Sequence, residues 1–354
     1  MSGSRSLPQE PAAGVTTRVP RLLTNARALL ADAEAWQAAE GRHLREDATL
    51  REIRKAIAWL GEGDVLVVDT SSRLLATCGT AALLDPRRRW RLVALDTVLR
   101  TPAGLTSRAA ARAKGFLFRQ ADLFILYFRD TSGYRRYYGL PATRMRFVPF
   151  KVNSWEALPA IEATPVPERD CLLCAGRSNR DVGVFLEAAR TSGVPCVLLH
   201  QDPDTLRRHG TELALSAVPP NLRIEQDAGG RESWIAWVRR ARALVVPVLP
   251  GTIAPSGIST YLDAMALGTP VIISACPAVS GMVKDEALIV PAGDPTALAE
   301  AMRRVWNEEP LRHELRLRGQ VHAERHGGSA RLHRDILACL FGGGGGEPEV
   351  EWRG

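Results

Sequence analysis

Short apolar segments alternate with longer amphipathic segments along this chain, and they do so in two successive series. Continuous apolar runs such as residues 64–70 and 170–176 are typical of strands that helices cover on both faces of a parallel sheet. Residues 153–169 lie between the two series, hold three prolines and are the best candidate for a linker. The alternation therefore predicts an α/β protein with two Rossmann-like parallel-sheet domains that face each other across a cleft.

The spacing also predicts where the elements and domains begin and end. Residues 20–60 show Leu, Ala and Trp spaced among Arg and Glu in a helical pattern, so we expect the first strand only at residue 64. The predicted strands cover residues 64–70, 91–97, 122–128 and 145–151, then 170–176, 195–200, 223–227, 243–248, 271–273 and 287–290. We expect disorder over residues 1–18, a first domain over 19–152, a linker over 153–169, a second domain over 170–325, a final helix within 326–341 and a flexible tail over 342–354.

Residues 255–273, PSGISTYLDAMALGTPVII, predict a helix with one polar edge, followed by a buried strand. Gly257 allows a backbone to approach a ligand closely, and the nearby helix N-terminus offers N–H groups that suit a phosphate. Gly268 fits the position just after the helix, and Pro270 prevents its continuation. The predicted ligand-facing residues are Ser256, Gly257, Ser259, Thr260 and Asp263, with the Asp263 carboxylate placed to accept hydrogen bonds from vicinal hydroxyl groups such as those of ribose.

The run AMALGTPVI, from Ala264 to Ile272, resembles the nucleotide-sugar-binding segment of group 1 (family 4) glycosyltransferases, which have the GT-B fold. In that family a Glu, seven residues and a second Glu precede this run. Asp263 stands at the second Glu position, whereas Pro255 stands at the first, and no acidic residue lies between Glu232 and Asp263. Because the first Glu contacts the donor sugar in the family, the resemblance does not predict which sugar is transferred.

The loop AGRSNRD, residues 175–181, resembles the Gly-Arg loop of the same family, in which cationic side chains hold the donor diphosphate. The resemblance assigns donor contacts to Gly176, Arg177, Asn179 and Arg180, and the two guanidinium groups suit bidentate contact with phosphate. Val182 stands where the family has a Lys, so Arg180 is the expected substitute. The alternative is that one Arg only caps the turn and pairs with Asp181.

The resemblance implies an enzyme that moves a sugar from a nucleoside-diphosphate donor to a glycan or lipid-linked saccharide, as in polysaccharide biosynthesis. Family members retain the anomeric configuration and are described without a covalent nucleophile, so we expect Arg177 and Arg180 to stabilise the departing diphosphate. Because the sequence has no cluster of His, Cys and Asp with metal-ligand spacing, we expect transfer without a metal. The last helix is expected to cross back onto the first, acceptor-side domain. Two alternatives stay open: a GT-B sugar-nucleotide epimerase, and a non-catalytic module that binds nucleotides or partners. A phosphorylase is disfavoured because no lysine is clearly placed for a pyridoxal cofactor, and we expect no cofactor.

Polar residues lie at the carboxyl ends of several predicted strands of the first domain. These ends form the edge of a parallel sheet at which ligands are expected to bind. The polar residues are Asp69, Thr70, Asp96 and Asp130. Such residues often cap helices instead, but Asp69 is a candidate base that would remove a proton from the acceptor. His43, the only His of the first domain, lies in the helical pattern far from any predicted strand end, which disfavours an inverting mechanism with a His base.

Positive charge is concentrated in the first domain. Residues 1–150 carry a net charge of +10 and the remainder −3, and residues 87–146 hold 14 basic and three acidic residues. A predicted helix over residues 106–120 carries four of these basic residues, next to Leu105 and the apolar run at residues 116–118. It either docks on an anionic membrane or is an ordinary solvated face. Its cations are Arg108, Arg112, Lys114 and Arg119; nucleic acid is not expected, because the aromatic residues do not alternate with these cations.

The remaining composition favours a cytoplasmic protein, peripheral on the inner membrane face if it contacts lipid. Residues 1–20 show no secretory signal, and two uncharged runs, residues 243–262 and 264–283, are interrupted by Pro and Gly and so do not predict membrane spans. The six cysteines lie mostly in strand-like runs and are expected to be reduced and buried. Cys171 and Cys174 lack a second Cys pair, so we expect no metal site.

Overall fold

A computed structural model describes residues 18–165, 167–215, 217–227 and 229–342. Two six-stranded sheets, one in each half of the chain, contain only parallel strands within these residues. The predicted two-domain α/β fold is therefore confirmed. The predicted disorder over residues 1–18 and the predicted tail over residues 342–354 lie outside the described residues, apart from Arg18 and Gly342.

The first sheet has the strand order β2-β1-β3-β4-β5-β6. Its elements are β1 (Arg21–Thr24), α1 (Arg27–Ala35), β2 (Glu40–His43), α2 (Leu50–Ile57), β3 (Val65–Asp69), α3 (Ser72–Leu83), β4 (Arg91–Leu95), α4 (Leu105–Phe118), β5 (Leu123–Leu126), a π-helix (Tyr134–Tyr138), a 3-10 helix (Ala142–Arg144) and β6 (Met145–Phe147). The residues of β3 and β5 are almost all buried, as a sheet with helices on both faces requires.

The prediction that residues 20–60 are helical throughout is wrong. This segment forms two strands that alternate with two helices, in the order β1, α1, β2, α2. Leu22 and Leu23 are fully buried in β1, which pairs with β3 near the middle of the sheet. Because each strand has only four residues and each helix only eight or nine, their apolar positions merge into one helix-like spacing. His43 consequently ends a strand, contrary to the prediction.

The second sheet has the order β12-β11-β10-β7-β8-β9. A 3-10 helix (Trp155–Ala157) and α5 (Leu158–Glu162) precede it in the segment that joins the domains. Its elements are β7 (Cys171–Cys174), α6 (Val182–Ser192), β8 (Cys196–His200), α7 (Pro203–Arg208), β9 (Leu222–Gln226), α8 (Arg231–Arg240), β10 (Ala241–Val246), α9 (Ile258–Ala266), β11 (Val271–Ser274), β12 (Leu288–Val290), α10 (Pro295–Asn307), α11 (Glu309–His326) and α12 (Ser329–Phe341).

Local signals set the ends of two helices of the second domain, and the predicted stop at Gly268 forms. Gly268 follows α9 with a φ of 67°, a left-handed conformation that glycine adopts without steric cost. Asp294 caps α10 by accepting hydrogen bonds from the N–H groups of Thr296 and Ala297, and Pro295 occupies the first turn. These local signals fix the lengths of the helices that support the cleft.

Helix α12 lies against the first domain. Leu332, Ile336 and Leu340 are buried in the apolar cluster that also contains the first sheet. At its end, the Arg91 guanidinium of β4 donates a hydrogen bond to the Leu340 carbonyl oxygen at 3.0 Å. The C-terminal helix therefore ties the end of the second series of elements to the first sheet.

Candidate functional site

A cavity of about 820 Å³ lies between the carboxyl ends of the two sheets. Its first-domain wall includes Asp96, Tyr127 and the residues that follow β4. Its second-domain wall includes the loop at residues 175–180 and the start of α9. The cavity therefore lies in the predicted cleft, and it brings both sequence segments that suggested phosphate binding onto one wall.

The loop after β4 bridges this cavity. The Arg100 guanidinium donates to the Arg208 carbonyl oxygen, and the Thr101 hydroxyl donates to the Gly251 carbonyl oxygen at 2.9 Å. This loop of the first domain is therefore hydrogen-bonded to two separate segments of the second domain.

Two unusual backbone conformations shape the loop that follows β7. Gly176 has a φ of 102°, and a Cβ at this position would lie 2.3 Å from Nη2 of Arg180. Asn179 has a φ of 51°, and its side-chain amide donates to the Ser256 hydroxyl at 2.8 Å. The exposed Arg177 lines the cavity, and no hydrogen bond or ion pair of its guanidinium is recorded with the described residues.

Arg180 is a buried cation, with 3% of its surface exposed. Its guanidinium donates to the carbonyl oxygens of Ala175 and Ser178 at 2.9 and 2.7 Å, and to the Thr260 hydroxyl at 3.2 Å. Burial lowers its pKa. Within the described part of the chain it forms no ion pair with a carboxylate, so its charge is not neutralised there.

The alternative in which an Arg of this loop pairs with Asp181 is not what the structure shows. Asp181 caps α6 by accepting a hydrogen bond from the Val184 N–H at 3.0 Å. Arg180 does bond to backbone carbonyls of its own turn, so it also holds the loop in shape. Two of its five N–H bonds are not used in these contacts and are available to a ligand.

The N-terminus of α9 opens onto the same wall. Gly257 precedes the helix with a φ of 108°, and a Cβ here would lie 3.0 Å from Cγ1 of Val246. No side chain caps the helix, so the N–H groups of its first turn have no partner within the helix. Ser259 and Thr260 line the cavity beside them. This end of α9 therefore presents backbone donors to the cavity, as a phosphate site requires.

Asp263 lines the cavity, but its carboxylate already has protein partners. Oδ1 accepts hydrogen bonds from the N–H and hydroxyl of Ser154 at 2.9 and 3.0 Å, and Oδ2 accepts from Nε1 of Trp234 at 3.2 Å. Burial raises its pKa, and these hydrogen bonds oppose the rise. A hydrogen bond from the Asn153 backbone also lowers the pKa of this carboxyl, so its roughly four lone-pair positions already have protein partners. Sequence spacing gave no signal for Ser154 or Trp234, because both come from segments distant in sequence.

The strand-end aspartates of the first domain line different cavities. Asp69 lies in a second cavity of about 670 Å³, together with His43, and burial raises the pKa of its carboxyl. Asp130 lies in a third cavity, beside the π-helix. Asp96 alone among these three lines the interdomain cavity. The candidate base Asp69 therefore does not line the cavity that contains the predicted donor site, whereas Asp96 lies on the first-domain wall of that cavity.

Comparison with known proteins assigns the second domain. The sequence profile of a family described as glycosyl transferases group 1 matches residues 171–308. The second domain is a group 1 glycosyltransferase domain. The predicted family and enzyme class, a glycosyltransferase, are thereby confirmed. No curated protein matches the chain in a sequence search.

Solved glycosyltransferase structures have the same fold over both domains. HepE from Anabaena, in complex with UDP and glucose, superposes with a TM-score of 0.64 at 10% identity, covering 91% of this chain and 99% of that one. Sucrose-phosphate synthase from Thermosynechococcus elongatus gives 0.63 at 17% identity, covering 90% and 97%. A trehalose 6-phosphate synthase from Burkholderia multivorans gives 0.59 at 14%, covering 82% and 75%. At such identities these matches show the fold, which is GT-B.

The cysteines of this glycosyltransferase fold do not form a site. Cys171 and Cys174 are buried in β7 and pack into different apolar clusters on opposite faces of the sheet. Across the described ranges, no group of three or more His, Cys, Asp or Glu side chains is placed to hold a metal ion. In the same ranges, no helix is both long and apolar enough to cross a membrane.

Proposed function

We propose that this protein transfers a sugar from a nucleoside-diphosphate donor to a glycan or a lipid-linked saccharide, as polysaccharide biosynthesis requires. The observation that carries the proposal is the buried Arg180 guanidinium, which lies on the cavity wall beside the uncapped N-terminus of α9. A buried charge is costly unless it is paired, and no described carboxylate pairs with it. An anionic ligand in the cavity would supply the missing partner.

The ligand that fits this wall is a diphosphate joined to a nucleoside. Arg177, Arg180 and the N–H groups of α9 together offer donors for two phosphate groups. A ribose hydroxyl at Asp263 would replace one of the protein hydrogen bonds of this carboxylate. HepE, which has the same fold, was solved with UDP and with UDP-glucose, so uridine nucleotides are the first probes to test.

The proposed transfer proceeds with retention and without a metal. The acceptor oxygen bonds to the anomeric carbon, the bond from that carbon to the donor phosphate breaks, and the diphosphate leaves with the electron pair. The departing phosphate oxygen takes the acceptor proton. Arg177, Arg180 and the α9 N-terminus stabilise the negative charge that develops on the diphosphate, the role that a divalent cation would otherwise fill. Retention follows from the resemblance to family 4.

Nucleotide binding and donor hydrolysis test the proposed function. UDP, ADP and GDP are compared in thermal unfolding, and one is expected to stabilise the protein by about 2.7 kcal/mol at a hundredfold excess over its Kd. Arg177→Gln is expected to weaken that binding about tenfold or more without loss of stability, because this side chain is exposed and unpaired. Arg304→Gln, which removes an exposed cation far from the cavity, is the matched control.

Release of UDP from UDP-glucose without an acceptor separates an enzyme from a binding module. An enzyme is expected to hydrolyse the donor slowly, and the rate is expected to be unchanged by EDTA. Binding without any release would favour the non-catalytic alternative. A rate that is abolished by EDTA and restored by Mg²⁺ or Mn²⁺ would contradict the proposed metal independence.

We further infer that α4 docks the first domain on an anionic membrane surface, where a lipid-linked acceptor is found. Leu105 and Phe116 of α4 are exposed at 82% and 48%, whereas Phe118, which the sequence grouped with them, is fully buried. The exposed cations Arg108, Arg112, Lys114 and Arg119 belong to α4 and its C-cap, and the Arg119 guanidinium lies 5.8 Å from the centroid of the Phe116 ring. Exposed apolar groups beside cations are what a surface-bound helix presents to anionic lipid. This interaction would place the protein on the cytoplasmic face of a membrane.

Vesicle flotation tests the membrane proposal. The protein is expected to float with vesicles that contain phosphatidylglycerol and to stay behind with pure phosphatidylcholine. Arg108→Gln combined with Arg112→Gln should weaken vesicle binding about 30-fold, since each basic residue near the surface contributes about 1 kcal/mol. Arg304→Gln combined with Arg334→Gln removes the same charge elsewhere and should leave flotation unchanged. Equal loss in both double variants would mean that net charge, and not α4, is responsible.

A further inference from the structure

Three carboxylates line the interdomain cavity, and their hydrogen bonding differs. Asp263 is bonded to Ser154 and Trp234, as described above. Asp227 accepts hydrogen bonds from the Gly229 N–H and the Ser233 hydroxyl. No hydrogen bond or ion pair of the Asp96 carboxylate is recorded with the described residues. Asp96 is therefore the one carboxylate of this cavity that the described part of the protein leaves available to a ligand.

The Asp96 backbone has an unusual conformation that a hydrogen bond to the neighbouring strand maintains. Its φ of 43° lies in the left-handed region that L-residues seldom adopt. The Asp96 N–H donates to the Ile125 carbonyl oxygen at 2.9 Å, which fixes the residue to the neighbouring strand β5. Strained backbone that neighbouring bonds maintain is concentrated at functional sites, and here it directs the chain just after β4 along the cavity wall.

Asp96 lies on the cavity wall opposite the proposed diphosphate site. The Arg177 and Arg180 guanidinium groups and the N-terminus of α9 belong to the second domain, whereas Asp96 belongs to the first. A donor held by its diphosphate on the second-domain wall would direct its sugar across the cavity. An acceptor must then approach from the first-domain side, where Asp96 is the only carboxylate among the described lining residues.

We propose that Asp96 binds the hydroxyl group that attacks the donor sugar, and so orients the acceptor for transfer. The inference rests on the proposed function and adds a residue for the acceptor side of the same reaction. The acceptor oxygen bonds to the anomeric carbon, the diphosphate leaves with the electron pair, and the hydroxyl proton passes to the departing phosphate oxygen. Asp96 holds the hydroxyl throughout and neither gains nor loses a proton.

The protonation of Asp96 agrees with this role. Burial, with a smaller contribution from the Asp69 charge, raises the pKa of Asp96 to about 8. At neutral pH its carboxyl is therefore mainly protonated, and a neutral carboxyl both donates and accepts a hydrogen bond. The titratable and charged groups around it are Asp69, Tyr127 and Tyr134 on its own side, with Arg100, Arg177, Arg180, Arg208, His209, Asp227 and Asp263 along the cavity.

The test uses water as the acceptor, so that no unknown substrate is needed. UDP-glucose, ADP-glucose and GDP-mannose are the donor probes, and release of the nucleoside diphosphate is measured beside its binding affinity. Asp96→Gly removes the side chain, and glycine adopts a positive φ without strain. Asp96→Asn keeps a neutral hydrogen-bond donor and acceptor of the same shape, and Asn also adopts a positive φ. Asp85→Asn, in the turn before β4, is the control for an Asp-to-Asn change outside the cavity lining.

The expected result is a split between hydrolysis and binding. Asp96→Gly should lower hydrolysis about 10- to 100-fold while nucleotide affinity stays within about twofold. Asp96→Asn should retain hydrolysis within about threefold, and the wild-type rate should fall above pH 8 while the Asp96→Asn rate does not. The rates are compared above pH 7, away from the range in which His209 titrates, because burial and Arg177 lower the His209 pKa from 6.5. Asp85→Asn should match wild type.

Several outcomes would overturn the inference. Unchanged hydrolysis in a folded Asp96→Gly variant would remove Asp96 from the acceptor side. An equal loss of nucleotide affinity would make it a donor or structural residue. If Asp96→Asn lowers the hydrolysis rate as much as Asp96→Gly does, and the wild-type rate rises through pH 8, then Asp96 removes the proton of the attacking hydroxyl group instead of holding that group. Absence of both binding and hydrolysis in wild type would instead overturn the proposed function, and this inference with it.

Discussion

The Asp263 carboxylate accepts hydrogen bonds from both the N–H and the hydroxyl group of Ser154, at 2.9 and 3.0 Å. Asp263 belongs to α9 of the second domain, and Ser154 belongs to the segment that joins the two domains. Both residues are buried. The helix whose N-terminus faces the cavity is therefore tied to the interdomain connection, so the position of the proposed phosphate site depends on that connection.

Replacement of Asp263 by Ala should destabilise the protein. It would leave the Ser154 N–H and Trp234 Nε1 without their acceptor, and an unsatisfied buried donor costs about 1–3 kcal/mol. We expect a loss on the order of 3 kcal/mol in urea unfolding. Ser154→Ala keeps the N–H contact and should lose about 1 kcal/mol or less. Equal stability of Asp263→Ala and wild type would show that these hydrogen bonds do not hold the connection.

Replacement of Gly176 by Ala should weaken nucleotide binding. A methyl group at this position would lie 2.3 Å from Nη2 of Arg180, and the φ of 102° is unfavourable for Ala, so the guanidinium and its loop must shift. We expect UDP affinity to fall about tenfold or more, a change of about 1.4 kcal/mol. The measurement is calorimetric titration.

Gly183→Ala is the matched control for that prediction. Gly183 lies in α6, and its nearest neighbour to an added Cβ is Oδ1 of Asp181 at 3.7 Å, an ordinary contact. Because Ala favours a helix over Gly by about 1 kcal/mol, this variant should bind UDP as wild type does and unfold at a slightly higher temperature. Normal binding by Gly176→Ala would mean that the position of Arg180 does not control affinity.

Asp96→Asn should be more stable than wild type, by a margin that depends on pH. The Asp96 pKa of about 8 in the folded protein lies above its ordinary value of 3.8. The folded state therefore binds more protons than the unfolded state between these values, so this carboxyl costs stability as pH rises from 4 to 8. The stability gained by the Asn variant should grow through that range and level off above it. A margin independent of pH would contradict the raised pKa.

His326 should make the protein sensitive to acid. Burial, followed by His322 and Arg331, lowers the His326 pKa from 6.5 to about 3. Its stabilising contribution is complete above pH 6.5 and is lost as pH falls towards 3, because the unfolded state then binds the extra proton. His326→Asn places an amide N–H near the position of Nδ1, so it can still donate to the Phe150 carbonyl oxygen, the contact that His326 makes at 2.7 Å. Its unfolding free energy should vary less than that of wild type between pH 6.5 and 3.

Most of the second domain was predictable because its signals are local. Apolar strands of four to six residues, the cap at Asp294 and the glycine stop at Gly268 act within a few residues of themselves. The strands at residues 20–60 were not predictable in this way. Because four-residue strands lie next to short helices there, the strand and helix periodicities of the apolar residues cannot be told apart. β1 is specified by its place between β2 and β3, which is a tertiary property.

The predicted site residues differ in how far sequence could place them. Arg177, Arg180 and the start of α9 meet on one wall because both segments follow strands of the same sheet, which the alternation implied. Four polar residues followed strands of the first domain, but only the cross-sheet arrangement decides that Asp96 lines the interdomain cavity and Asp69 does not. The partners of Asp263 likewise depend on packing between distant segments.

The position of a bound diphosphate tests the central claim most directly, and a crystal structure with the most stabilising of UDP, ADP and GDP measures it. We predict phosphate oxygens within about 2.7–3.2 Å of the Arg177 and Arg180 guanidinium groups and of N–H groups in the first turn of α9. A nucleotide bound outside the interdomain cavity, or a diphosphate beyond the reach of both arginines, would contradict the proposed sugar transfer at this site.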